Sequence, residues 1–260
     1  METAAFREDM RQGLVGSGHL DPEAWSRFSE GIFYTHLDYG DTGGYASLKS
    51  LIEEKERSFG TEGNRIFYLA TPPTVYAPVI EALGAAGLNA SGGGWTRLVV
   101  EKPFGRDMPS ARSLESVVHR VFDEEQVYRI DHYLGKDTVQ NIMMLRFANS
   151  IFEPVWNRHY IDHIQITAAE TLGVEKRAGY FEQSGVIRDM FQNHMLQLLT
   201  IATMEPPSLY ESGLVTYERL KVLKALRSLP LDDIGSSLVI GQYASGEIDG
   251  QPVLSYRDEE

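Results

Sequence analysis

The chain contains no cysteine. That absence removes disulfide scaffolds, thiolate zinc sites, iron–sulfur clusters and cysteine nucleophiles together. Basic residues are scarce as well. There are 24 Lys and Arg against 37 Asp and Glu, for a net charge of −13. The deficit is spread evenly: 13 basic residues face 19 acidic ones in residues 1–130, and 11 face 18 in residues 131–260. A field of this sign repels phosphate backbones and anionic lipid, so neither nucleic acid nor a membrane surface is an expected partner. Long hydrophobic runs are missing too. The longest candidate, Met195 to Met204, is interrupted by Gln197 and Thr200 and falls short of the roughly 20 residues that cross a bilayer. The start, Met1-Glu2-Thr3-Ala4-Ala5-Phe6-Arg7, has no basic region followed by an apolar run, so no signal peptide is readable. A soluble, cytoplasmic setting is expected. The glycine-rich stretches Gly13 to Gly18 and Gly92 to Gly94 fit neither the dinucleotide fingerprint nor a phosphate-binding P-loop.

What is present is enough for a packed core: 260 residues, 42% hydrophobic and 23% charged. The first thirty residues read as polar and irregular. From Tyr45 the pattern alternates. Tyr45 to Arg57 reads as a helix, Arg65 to Ala70 as a strand, Val75 to Ala86 as a helix and Trp95 to Val100 as a strand. Arg112 to Phe122 is helical again, and Val127 to Ile130 is a brief strand. Strands alternating with helices of about a dozen residues predict a parallel sheet. After Lys136 the character changes. Val139, Ile142, Met143 and Phe147 make a helical face, Ile161 to Ala168 reads as a strand, and a long helix covers Gly185 to Met204. A further helix is predicted over Thr216 to Leu229 and a strand over Ser237 to Tyr243. The boundary is placed at residue 136, giving domains 1–136 and 137–260. The closing residues Gly246 to Glu260 read as a loop or an unpartnered strand.

The most loaded segment is Arg129-Ile130-Asp131-His132-Tyr133-Leu134-Gly135-Lys136. It lies where a strand gives way to a helix, the place where α/β sheets gather ligands. Arg129, His132, Tyr133 and Lys136 can all donate to a phosphate, and the following helix adds free N–H groups and the positive end of its dipole. Glu101-Lys102-Pro103-Phe104-Gly105 closes another strand, and Pro103 holds the residue before it extended or takes the cis form. His194 falls on the apolar stripe Ile187, Met190, Phe191, Leu198 and Ile201, and an inward histidine needs a hydrogen-bond partner. Asp189, five residues earlier, sits about 140° away at the α-helical pitch. The i, i+4 pair His159 and His163 lacks an accompanying carboxylate motif, so no metal site is expected.

Taken together these segments resemble glucose-6-phosphate dehydrogenase. The match rests on residues 129–136, on Glu-Lys-Pro-Phe-Gly-Arg-Asp at 101–107, and on Phe67 to Ala70 with Pro72, Pro73 and Tyr76. It continues through Gln140-Asn141, Arg146 to Asn149, Trp156-Asn157-Arg158, Gly179-Tyr180-Phe181, Ile187-Arg188-Asp189, Gln192-Asn193-His194 and Gly241-Gln242-Tyr243. The resemblance implies a truncated Rossmann-like α/β domain followed by part of an α+β domain. It implies oxidation of glucose 6-phosphate at C1 with hydride passed to NADP, and a homo-oligomer for the full-length family chain. By residue, it implies His194 as general base with Asp131 orienting it. It places the sugar phosphate at His132, Tyr133 and Lys136, and the sugar hydroxyls at Glu170 and Asp189. Lys102 falls at the junction of substrate and nicotinamide, with Pro103 and Tyr76 toward the cofactor. The family's opening strand and its Gly-Asp-Leu-Ala turn have no match here, so a partial chain is expected, about the middle half of the family's length. The alternative is a non-catalytic sugar-phosphate-binding or assembly subunit, or an inactive fragment of the dehydrogenase.

Overall fold

The structure, a computed structural model, describes residues 1–131, 133–169, 173–174, 178–228, 231–248 and 250–259. Contacts divide the chain into two units, Met1–Ile130 and Asp131–Glu260.

The first unit is built on three parallel strands, β1 (Arg65–Leu69), β2 (Thr96–Glu101) and β3 (Val127–Ile130), in the order β1-β2-β3. The register pairs Phe67 with Leu98 and Val100 with Arg129. The helices are α1 (Thr3–Gly16), α2 (Pro22–Ser29), α3 (Thr42–Phe59), α4 (Tyr76–Ala85) and α5 (Met108–Val121). Both crossovers step to the next strand in the same direction, so right-handed connections put α4 and α5 on one face of the sheet. They pack against each other there. Leu69, Leu98, Val100 and Val127 from the strands meet Val79, Ile80 and Leu83 of α4 and Val117 and Val118 of α5. Each fully buried aliphatic side chain contributes roughly 1.5–3 kcal/mol. Gly84 makes the helix contact possible: a Cβ there would lie 2.8 Å from Val121 Cγ1. On the opposite face Ile66, Tyr68, Tyr128 and Ile130 are exposed. The expected alternation of strand and helix is therefore present.

Local chemistry sets the helix ends. Asp107 accepts from the Ser110 N–H at 2.9 Å, and Ser110 Oγ accepts from the Asp107 N–H at 3.1 Å, a reciprocal cap that starts α5. Gly105, just before it, has φ 84°, and a Cβ there would lie 2.5 Å from the Ala111 nitrogen. Only glycine suits that position. Lys49 of α3 donates to the Ala86 carbonyl at 3.0 Å, satisfying the C-terminal end of α4. The first thirty residues correct the expectation of irregularity, since they hold α1 and α2. Phe6, Met10 and Leu14 recur at helical spacing. Phe6 packs on the ring of Tyr34 with centroids 5.0 Å apart, and Arg7 donates to the Ile32 carbonyl. Asp21 caps α2 ahead of Pro22.

The second unit is mainly helical: α6 (Asp137–Phe147), α7 (Ala178–Val186), a π-helix (Ile187–Met195), α8 (Leu196–Thr203), α9 (Ser212–Ala225) and α10 (Tyr256–Glu259). A short antiparallel hairpin, β4 (Gly246–Ile248) with β5 (Gln251–Val253), pairs residues expected to form a loop or lone strand. The long helix expected over Gly185 to Met204 forms beyond Gly185, but its winding changes along the way. Gly185 turns out at φ 69° and ψ 162°, and the winding then widens to i→i+5 before returning to α. The strands expected over 161–168 and 237–243 do not form, because neither segment finds a ladder partner among the described residues. Their apolar side chains stay out: Val239 is 95% exposed. The end of α8 is closed by Arg146 of α6, whose guanidinium donates to the carbonyls of Ile201 (2.5 Å) and Met204 (2.7 Å). Trp156 Nε1 donates to the Ala202 carbonyl at 2.8 Å. Three carbonyls at that helix end are thus satisfied by side chains. Among the described residues, no helix is long and apolar enough to cross a membrane.

Candidate active site

Asp131 is the first residue of the second unit. Its carbonyl accepts from Leu134 N, and its Oδ1 accepts the Tyr133 N–H at 3.0 Å. This Asx turn fixes the carboxylate against its own backbone. The Tyr133 carbonyl accepts from Lys136 N, and Lys136 stands at the N-cap position of α6. Asp131, Tyr133, Leu134 and Lys136 are tied to one another by these bonds.

His194 comes from the π-helix, and its ring meets this turn. Nδ1 lies 3.1 Å from Asp131 Oδ1, with the imidazole 1% and the carboxylate side chain 19% exposed. An ionised carboxylate can only accept, so opposite one Nδ1 is the donor, and a neutral ring then keeps its lone pair on Nε2. Tyr133 stacks on the imidazole, ring centroids 3.8 Å apart and planes 19° apart. Lys136 Nζ lies 3.7 Å from the centroid of the same tyrosine ring. Asp131, Tyr133, Lys136 and His194 form one assembly.

The π winding also corrects the placement of Asp189. Residues five apart return toward the same side of an i→i+5 helix, and Asp189 (8% exposed) and His194 (1%) are both buried. Ile187 and Phe191, expected beside His194 on an apolar stripe, are 41% and 53% exposed instead.

His132 and Glu170 fall outside the described residues. Lys102, Pro103 and Tyr76 belong to the first unit. The Lys102–Pro103 bond is cis. Tyr76 is 1% exposed, and its hydroxyl donates to the Glu101 carbonyl at 3.3 Å. Burial pushes its phenol pKa up. Its polar end is thereby tied to the end of β2. Arg129, read as a phosphate donor, is engaged by Glu124 through two bonds (2.7 and 3.1 Å) and lies over the Phe104 ring. His163 pairs with its neighbour Asp162, and no group of three metal-ligating side chains occurs among the described residues.

Sequence reasoning missed Arg219 of α9. Its guanidinium donates to Gln197 Oε1 and lies 3.4 Å from Thr200 Oγ1, on the first turns after His194. Burial lowers its pKa, and the negative charge of Asp131 works against that shift. The polar interruptions Gln197 and Thr200 in an apolar run were the available signal. Nothing in the pattern of α9 pointed to Arg219.

The fold and the pair define a class first: a Rossmann-like dinucleotide-binding domain followed by a second domain that carries a buried carboxylate–imidazole pair. Residues 1–141 match the sequence model of the glucose-6-phosphate dehydrogenase NAD binding domain, and residues 143–260 match that of the glucose-6-phosphate dehydrogenase C-terminal domain. The chain belongs to the glucose-6-phosphate dehydrogenase family. It is 48% identical over 255 residues to the glucose-6-phosphate 1-dehydrogenase of Aggregatibacter actinomycetemcomitans, a match covering 98% of this chain and 52% of that one. To the Bacillus subtilis enzyme of the same name it is 44% identical over 259 residues, covering 97% and 52%. A solved glucose-6-phosphate dehydrogenase in complex with its substrate glucose-6-phosphate superposes with a TM-score of 0.86 at 37% identity, covering 100% of this chain and 52% of that one. The chain spans about half the length of these relatives.

Proposed function

We propose that the chain carries the base-catalysed half of a sugar-phosphate dehydrogenation: oxidation of D-glucose 6-phosphate at C1 to 6-phospho-D-glucono-1,5-lactone. The observation that carries this reading is the buried His194 imidazole held by Asp131 at 3.1 Å. A pure binding protein has no need of such a base. The C1 hydroxyl gives its proton to Nε2 of His194 while the C1 hydrogen leaves with its electron pair as hydride, and the C1–O1 bond becomes a carbonyl. Asp131 keeps the imidazole in the accepting tautomer and stabilises the imidazolium that forms. Lys136 and Tyr133, with His132, hold the phosphate in this reading. Glu170 and Asp189 hold the sugar hydroxyls.

The hydride acceptor is a nicotinamide dinucleotide, and NADP is the finer part of the proposal. The carboxyl ends of parallel strands suit such a ligand. There, after β1, Thr71 Oγ1 is buried without a hydrogen-bond partner among the described residues, which fits a polar group arriving from outside the chain. Thr71, Lys102 and Pro103 are the residues proposed to hold the nicotinamide end. When bound, the nicotinamide accepts the hydride. A cytoplasmic setting and assembly of full-length chains into homo-oligomers belong to the same reading.

The test is turnover of glucose 6-phosphate by the chain with NADP and, separately, NAD. His194→Asn should lower kcat by roughly 10²–10⁴-fold, the range for losing a positioned base. Tight binding of glucose 6-phosphate with no turnover under either cofactor would favour the sugar-phosphate-binding subunit instead.

A further inference from the structure

We propose that Tyr133 is a positioning residue for the base: its ring sets the plane of the His194 imidazole, and its backbone sets the carboxylate that the imidazole bonds. This rests on the reading of His194 as the base, and it gives Tyr133 a task different from phosphate contact. The Nδ1–H···Oδ1 bond fixes one corner of the imidazole but does not by itself set the plane of the ring. The Nε2 lone pair lies in the ring plane, so a swing redirects it away from a bound hydroxyl. The Tyr133 ring, stacked 3.8 Å away and only 7% exposed, removes that freedom. Lys136 Nζ, 3.7 Å from the same centroid, closes the other side. Two groups this near one centroid, one of them a stacked ring, must take opposite faces. The tyrosine ring is thereby clamped between an ammonium group and the imidazole it orients. Its electron-rich face also favours the imidazolium formed when Nε2 takes the proton. The Tyr133 N–H meanwhile bonds the same Asp131 oxygen at 3.0 Å. Side-chain substitution leaves that backbone bond in place and tests the ring alone.

Ring and hydroxyl can be separated. Tyr133→Phe keeps the ring and loses the hydroxyl; Tyr133→Leu loses both. The experiment pairs the proton shift of the His194 ring, by NMR on the chain, with kcat and KM for glucose 6-phosphate. In the wild type and in Tyr133→Phe the imidazole protons should be shifted upfield by the stacked ring. In Tyr133→Leu that shift should vanish and kcat should fall roughly tenfold or more, the scale of a misplaced reacting group. Tyr133→Phe should rescue most of kcat, any remaining loss appearing in KM. The proposal is overturned if Tyr133→Leu keeps the upfield shift, if it keeps kcat, or if Tyr133→Phe loses as much kcat as Tyr133→Leu. Should Tyr133→Leu fail to fold, Tyr133→Met makes the same comparison with a side chain that fills irregular space. Normal turnover in His194→Asn would instead remove the underlying reading, whatever the tyrosine variants do.

Discussion

Each unit buries an arginine, and the two are answered in different ways. In the first unit Arg65, 9% exposed, meets the Glu56 carboxylate through two bonds at 2.5 and 3.0 Å. In the second, Arg146, 4% exposed, bonds backbone carbonyls at the end of α8 and lies over the Phe147 and Trp156 rings. The pKa directions follow from these partners. The Glu56 hydrogen bond raises Arg65, while burial lowers Arg146, with Glu205 and Tyr210 opposing. The first unit therefore neutralises a charge by pairing it beside a hydrocarbon core. The second uses a charge to hold a helix end, close in sequence to the helix that carries His194. Buried polar groups such as Asp189, His194 and Thr200 sit in that second unit, where geometry rather than hydrocarbon burial decides the outcome.

This contrast can be broken by substitution and pH. The larger effect is expected in the first unit. Glu56→Gln leaves Arg65 buried without its counter-charge and should cost roughly 3 kcal/mol at pH 7 by urea unfolding. The hydrogen bond from Arg65 holds the Glu56 carboxyl below its ordinary value. Its stabilisation is therefore complete above the unfolded pKa of about 4.3 and is lost as pH falls through the lower folded value. The gap between wild type and variant should close under acid. A gap that stays constant down to pH 2 would show that the loss is packing, not charge. The smaller effect is expected from Arg146→Met, about 2 kcal/mol for carbonyls left without donors. Among the described residues no carboxylate is bonded to Arg146, so that loss should be unchanged between pH 8 and pH 4. A loss that tracks carboxylate titration would make Glu205 a true partner and erase the contrast.

How far the sequence could be read follows the same division. The sheet unit was legible because its strands are apolar runs ended by Pro72-Pro73, Lys102-Pro103 and the 131–136 turn. The first two helices were not, since Phe6, Met10 and Leu14 are thinly spaced among polar residues and bury nothing fully. Two strands were expected where none forms, because alternation shows a willing strand but not a partner for it. At the site, the pairing of Asp131 with His194 was legible only through the family resemblance, since they stand 63 positions apart. The face shared by Asp189 and His194 could not be seen, because a regular α pitch was assumed where the winding is π. The stacking of Tyr133 was hidden for another reason: the sequence offers its phenol as a phosphate donor and says nothing of what its ring packs against.

The account rests most directly on the tautomer of His194. Nitrogen-15 NMR of the imidazole at a pH where the ring is neutral reads it without need of substrate or cofactor. The account predicts a protonated Nδ1 bonded to Asp131 and an unprotonated, accepting Nε2, with Asp131→Asn disturbing that preference. A ring protonated at Nε2 with Nδ1 bare, and indifferent to Asp131→Asn, would contradict it.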